Sequence, residues 1–208
     1  MEEPLTGYLT GEKREALARL LAEGRVAVLP TDTIYGFHCI CTDEDAIGRI
    51  ISMKGRRRSS GLILLASSVE MAETLAGRWP GGSRELLRRS AGDPLTILLP
   101  ASGELPQVLR PGGKVAVRIP ALEELRALTG RVGTPLISTS VNRSGQEPMT
   151  RIGRIRAEFP GLAAYISRKG RSPARPSTIV DMTAGSPVIV RAGTMSPEDV
   201  LRKTGERS

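Results

Sequence analysis

The chain has 208 residues, 39% of them hydrophobic and 3% aromatic, which suffices for a sizeable core and falls within the range of one large domain. No stretch approaches the roughly 18 consecutive apolar residues of a membrane span, and Met1-Glu2-Glu3-Pro4 lacks the basic-then-apolar order of a secretion signal, so no membrane span and a cytoplasmic location are expected. Thirty Lys and Arg against 22 Asp and Glu leave +8, a balance that favours phosphates or RNA as partners, while the scarcity of aromatics removes the stacking platforms of single-strand readers.

In chain order, a helix is expected from about Glu12 to Glu23, with Ala16, Leu17, Leu20 and Leu21 on one face and Gly24 as its stop. Val26 to Leu29 reads as a short strand ending at Pro30, and Ile34 to Ile40 as the next, across the loop Thr31-Asp32-Thr33. A helix follows from about Asp43, with Ala46, Ile47, Ile50 and Ile51 inward, and delivers Lys54-Gly55-Arg56-Arg57-Arg58 at its exit. Leu62 to Ala66 is apolar without alternation, as for a strand covered on both faces, and Ser67 with Glu70 forms a capping box for the next helix. The remaining strands are expected at Thr96 to Leu99, Val115 to Ile119, Leu136 to Thr139, Ser177 to Met182 and Val188 to Val190, and Ser196-Pro197-Glu198-Asp199 opens a terminal helix. Alternating helices and strands with short Gly/Pro punctuation give a layered α/β (mixed α+β) fold in a single domain over 1–208.

Cys39 and Cys41 are two apart on one strand, share a face and cannot close an ordinary disulfide. The only histidine, His38, points to the opposite face, so no metal site is expected.

The polar segments that carry chemistry fall at strand ends, where ligands bind in α/β sheets. Pro30-Thr31-Asp32-Thr33-Ile34-Tyr35-Gly36 offers hydroxyls and freed N–H groups; taken alone, it reads as a turn in which Asp32 and Thr33 bond their own backbone. Lys54-Gly55-Arg56 with Arg57 and Arg58 concentrates cations suited to triphosphate oxygens, although an isolated charge run is usually solvated surface. Leu136-Ile137-Ser138-Thr139-Ser140-Val141-Asn142-Arg143-Ser144-Gly145 turns a strand into donors for phosphate, ribose or carboxylate without adding charge. Arg118 and Arg191 each sit beside apolar strand residues and call for an anion, whether a ligand or a structural carboxylate. No Walker A loop, GxGxxG or GxSxG is present, and the serines have no second imidazole to serve as base. Arg168 to Pro176 is the most polar stretch, a lid or a solvated surface loop.

Taken in order, Pro-Thr-Asp-Thr-Ile-Tyr-Gly, Lys-Gly-Arg, Pro94-Leu95-Thr96, Ala116-Val117-Arg118-Ile119-Pro120, the serine run, Ser177-Thr178-Ile179-Val180-Asp181 and Arg191-Ala192-Gly193 resemble the YrdC-type threonylcarbamoyl-AMP synthases. The resemblance implies a twisted sheet of parallel and antiparallel strands flanked by helices. It also implies a reaction of L-threonine, bicarbonate and ATP, with Mg2+ carried by the triphosphate, to threonylcarbamoyl-AMP and pyrophosphate for tRNA modification. It assigns Thr31, Arg118 and Ser177 to threonine and Lys54, Arg56, Ser138, Ser140, Asn142 and Arg191 to ATP, with Lys54 and Arg56 as the catalytic cations. Possible further partners are tRNA and a threonylcarbamoyl-transferase complex. The chain departs from the family pattern at Arg57 and Gly61, where prolines are usual, at Val141, usually alanine, and at Ser90-Ala91-Gly92-Asp93, which replaces a Trp-Pro-Gly. The alternatives are an RNA-binding module of the same fold without turnover, and adenylate chemistry on carbamoyl phosphate as in domains of hydrogenase-maturation proteins.

Overall fold

The computed structural model describes residues 3–55, 61–170 and 175–204. In chain order, β1 (Leu5–Tyr8) leads into α1 (Gly11–Ala22), β2 (Ala27–Pro30) and β3 (Tyr35–Ile40) form a hairpin, and α2 (Glu44–Met53) precedes β4 (Ile63–Leu65). Next come α3 (Val69–Glu73), α4 (Ser83–Arg89), β5 (Leu95–Pro100), β6 (Lys114–Arg118), α5 (Glu123–Val132) and β7 (Leu136–Ser140). The chain then runs through α6 (Ile152–Glu158), β8 (Ala164–Ser167), β9 (Thr178–Asp181), β10 (Val188–Arg191) and α7 (Pro197–Thr204).

All these strands join one sheet in the order β1-β8-β2-β3-β7-β4-β6-β5-β9-β10. It is mixed, as expected: β1 and β2 pair parallel to β8, β4 to β6 and β5 to β9, and the other pairs are antiparallel. Side chains alternate across the strands. One face, through Ala27, Leu29, Leu65, Leu136, Ala164 and Ile166, packs on Leu17, Ala18 and Leu21 of α1 and Leu125 and Leu128 of α5. The other, through Val28, Phe37, Leu64, Ile97, Val117 and Ile137, buries Ile47 and Ile50 of α2, Leu86 and Leu87 of α4 and Ile155 of α6. Double burial explains why β2 and β4 read as unbroken apolar runs.

Several expectations shift. On α1 the buried set is Leu17, Ala18 and Leu21, while Ala16 and Leu20 are only half-buried. The cap of α3 is Ser68 and not Ser67: Ser68 Oγ accepts from Met71 N at 3.3 Å, whereas the Ser67 hydroxyl faces Met71 Sδ at 3.5 Å. β1, β8, α4, α5 and α6 were not expected from the sequence.

Candidate active site

β2 ends at Pro30, and the chain reverses into β3 through a turn tied by its first threonine. Thr31 Oγ1 donates to the Ile34 carbonyl at 2.7 Å and accepts from the backbone N–H groups of Thr33 and Ile34 at 3.1 Å. The turn is thus locked by Thr31, not by Asp32 and Thr33 bonding their own backbone as the segment alone suggested. That frees the other two side chains to face Arg118, the last residue of β6, which donates to Thr33 Oγ1 at 3.1 Å and forms an ion pair with Asp32 Oδ2. Arg118 is 3% exposed. Burial presses its guanidinium below the usual range and Asp32 opposes that shift.

The serine loop leaves β7 at Ser140 and is fastened from behind. Lys54, the C-cap residue of α2, is 1% exposed. Its ammonium donates to the carbonyls of Ser140 at 2.5 Å and Asn142 at 3.1 Å and to Asn142 Oδ1 at 2.7 Å. Ser140 Oγ also donates to Asn142 Oδ1 at 2.6 Å, and Asn142 Nδ2 donates to the Gln146 carbonyl at 2.6 Å. Lys54 therefore holds the loop that presents these groups, and does not itself line the cavity in front of it. Arg56, with Arg57 and Arg58, lies outside the described residues.

Across the sheet, Arg191 at the end of β10 donates to the Ser177 carbonyl at 2.8 Å and to its hydroxyl at 3.3 Å, and the Thr96 and Ser177 hydroxyls are 2.8 Å apart. Gly193 is required by close approach, since a Cβ there would stand 2.4 Å from the Ser177 carbonyl carbon. Burial first, and the neighbouring Arg118 second, pull the Arg191 pKa down.

These elements enclose a cavity of about 180 Å³ lined by Thr31, Arg118, Ser138, Ser140, Asn142, Ser177 and Arg191. Every site residue expected from the sequence and lying among the described residues thus lines it, except Lys54, which stands behind. Alternation places Ser138 and Leu136 on one face, and Leu65 pairs with Arg118, so the cavity occupies the part of the α1/α5 face that those helices leave uncovered. Thr33, Gln146, Ile63 and Leu65 also line it and escaped the sequence reading; only Thr33, inside the threonine motif, carried a signal. Of the stretch 168–176, residues 171–174 lie outside the described residues, and Arg168 at its start donates to the Thr31 carbonyl at 3.0 Å.

A model of the Sua5/YciO/YrdC family, described as "Telomere recombination", matches residues 19–193. A threonylcarbamoyl-AMP synthase from Chromobacterium violaceum is 35% identical over 179 residues, covering 85% of this chain and 93% of that one. The synthase of Pyrococcus abyssi is 34% identical over 191 residues, or 91% of this chain, which spans only 56% of that relative's length. Among solved structures, P. abyssi Sua5 complexed with L-threonine superposes with a TM-score of 0.88 at 31% identity, covering 98% of this chain and 60% of that one. Escherichia coli YciO, at 21% identity, shares the fold with a TM-score of 0.83 over 97% of this chain and 100% of its own.

Proposed function

This chain belongs to the Sua5/YciO/YrdC family, and on that premise we propose that it is a threonylcarbamoyl-AMP synthase acting as one domain in the cytoplasm. The amine of L-threonine condenses with bicarbonate and loses water, and the resulting carbamate oxygen attacks the α-phosphorus of ATP. A new P–O bond forms and pyrophosphate leaves.

One observation carries this reading: a buried arginine and a half-buried one converge on a small cavity whose other polar side chains are hydroxyls and two amides. Such a site holds several anionic groups together and stabilises phosphate charge with fixed dipoles, which is most of what an adenylating enzyme must do. Its volume is below the roughly 300–1,000 Å³ of ordinary ligand pockets, so it fits an amino acid and the reacting phosphate, with the rest of the nucleotide over the rim. Arg118 suits the threonine carboxylate, beside Thr31 and Ser177, and it has donors beyond those given to Asp32 and Thr33. Arg191, Ser140 and Asn142 suit the phosphates, with Lys54 and Arg56 supporting that side.

No cluster of three metal-ligating side chains occurs among the described residues, and the cavity wall offers hydroxyls and cations. Magnesium would therefore arrive on the triphosphate, bound by its oxygens and water, and would offset phosphate charge during transfer. No helix among the described residues is long and apolar enough to cross a membrane. The product is a mixed anhydride, the form in which a transferase acting on tRNA would take it up.

The test is pyrophosphate release by the purified chain with L-threonine and bicarbonate each present or omitted. Release needing both, and lost at least 100-fold in Arg118→Ala, is expected. RNA binding without release under any combination would leave a binding module instead, and release independent of threonine would point to another substrate.

A further inference from the structure

Beneath the cavity lies a group that the reaction above leaves without a task. His38 on β3 is fully buried. Its Nδ1 lies 2.9 Å from the Gly36 carbonyl oxygen, and a carbonyl can only accept, so Nδ1 carries the ring proton and Nε2 keeps a bare lone pair. Burial also pulls the imidazole pKa down to about 4, which agrees with a neutral ring. Nε2 has no hydrogen-bond partner among the described residues, an uncommon condition for a buried acceptor.

Its surroundings show what could complete it. Strand register sets His38 against Ser138 and Gly36 against Ser140. A Cβ built on Gly36 would stand 3.2 Å from His38 Nε2 and 2.9 Å from Ser138 Oγ, so the bare acceptor and the hydroxyl flank one notch that only glycine leaves open. Gly36 and Ser138 line the cavity, whereas the imidazole lies beneath it. Ser138, paired with His38 in the register and lining the cavity, therefore carries the hydroxyl placed to serve both Nε2 and the cavity.

We propose that His38 is a positioning residue that acts through Ser138. When the amino acid fills the cavity, Ser138 turns its O–H onto His38 Nε2, and its own lone pairs are left to accept from the side-chain hydroxyl of the substrate. With its proton spent inward, Ser138 repels phosphate and carboxylate oxygens and favours a donor. This removes it from the nucleotide side, where the family resemblance put it. Of the groups threonine presents, the carboxylate only accepts and is matched by Arg118, and the amine must remain free to take the carboxyl group. The hydroxyl is the donor that remains. Ile63, opposite Ser138 on the next strand, gives the neighbouring methyl an apolar wall. Valine has the same shape without the donor, so this corner selects threonine over valine by leaving Ser138 unpaired against valine.

The inference rests on the synthase reading, and the experiment separates the two. Binding of L-threonine and L-valine is measured by calorimetry on the wild-type chain and on His38→Phe, His38→Gln, Ser138→Ala and the His38→Phe/Ser138→Ala double variant, with pyrophosphate release on the same samples. Wild type should prefer threonine. His38→Phe and Ser138→Ala should each cut that preference about 10- to 100-fold, and the double variant should cut it no further than either alone. His38→Gln, whose amide oxygen can stand in for Nε2, should retain most of it. Equal binding of the two amino acids by wild type, an unchanged preference in folded His38→Phe, or additive losses would overturn the relay. If His38→Phe does not fold, Ser138→Ala decides: an unchanged preference there overturns the relay as well. Turnover of threonine with preference untouched in the variants sinks only the relay, whereas threonine binding without turnover, with preference lost in the variants, supports the relay and sinks the synthase.

Discussion

An arginine inside Ala116-Val117-Arg118-Ile119 is a warning in any sequence, because a guanidinium is buried only against an anion. The chain supplies one itself, Asp32, from a turn distant in sequence. The need was legible, but the partner was not, since nothing local ties one strand's end to another's. His38 shows the reverse: a lone histidine whose strand face could be read, but whose burial and bare Nε2 follow only from tertiary packing. That burial makes a prediction about acid. The folded ring titrates near 4 and an unfolded one near 6.5, so the unfolded chain takes the proton first. Stability from His38 is therefore complete above 6.5 and lost as pH falls towards 4. The difference amounts to about 3 kcal/mol. Chemical denaturation at pH 7 and pH 4.5 should show wild type losing more stability than His38→Gln, and equal losses would mean the ring is not held neutral.

Among the helices, those that begin at a capping side chain were legible and those without one were not. Thr10, Asp43, Ser68 and Ser196 accept from the first turns of α1, α2, α3 and α7, and all four helices were expected, with only the α3 cap displaced by one residue. Helices α4, α5 and α6 begin at Gly82, Leu122 and Arg151 with no side-chain cap bond, so their starts carry no local signal. β1 and β8 are short strands at one side of the sheet, β8 held between β2 and β1, and their pairing is not local in sequence. Lys54 acts at this scale too, because it joins the end of α2 to the loop leaving β7. From sequence its charge pointed to phosphate, yet its ammonium already serves the carbonyls of Ser140 and Asn142. Lys54→Met should therefore lower stability by about 2 kcal/mol and the melting temperature by on the order of 5 °C, along with turnover. A melting temperature unchanged while ATP binding is lost would place Lys54 on the phosphates directly.

At the scale of the whole molecule, the sheet order converts motifs scattered from Thr31 to Arg191 into one cavity wall. Motif order in the chain made the family and the mixed sheet legible, whereas the small size of the cavity and the split of the serine run between Lys54 and His38 required the register. In the proposed reaction one carbon from bicarbonate becomes the bridge between threonine and AMP. Supplying ¹³C-bicarbonate, L-threonine and ATP to the purified chain and reading the nucleotide product by mass spectrometry follows that carbon. A synthase yields a threonylcarbamoyl-AMP ion carrying a single heavy carbon. Unlabelled AMP, or an adenylate of threonine with no added carbon, would contradict that reaction.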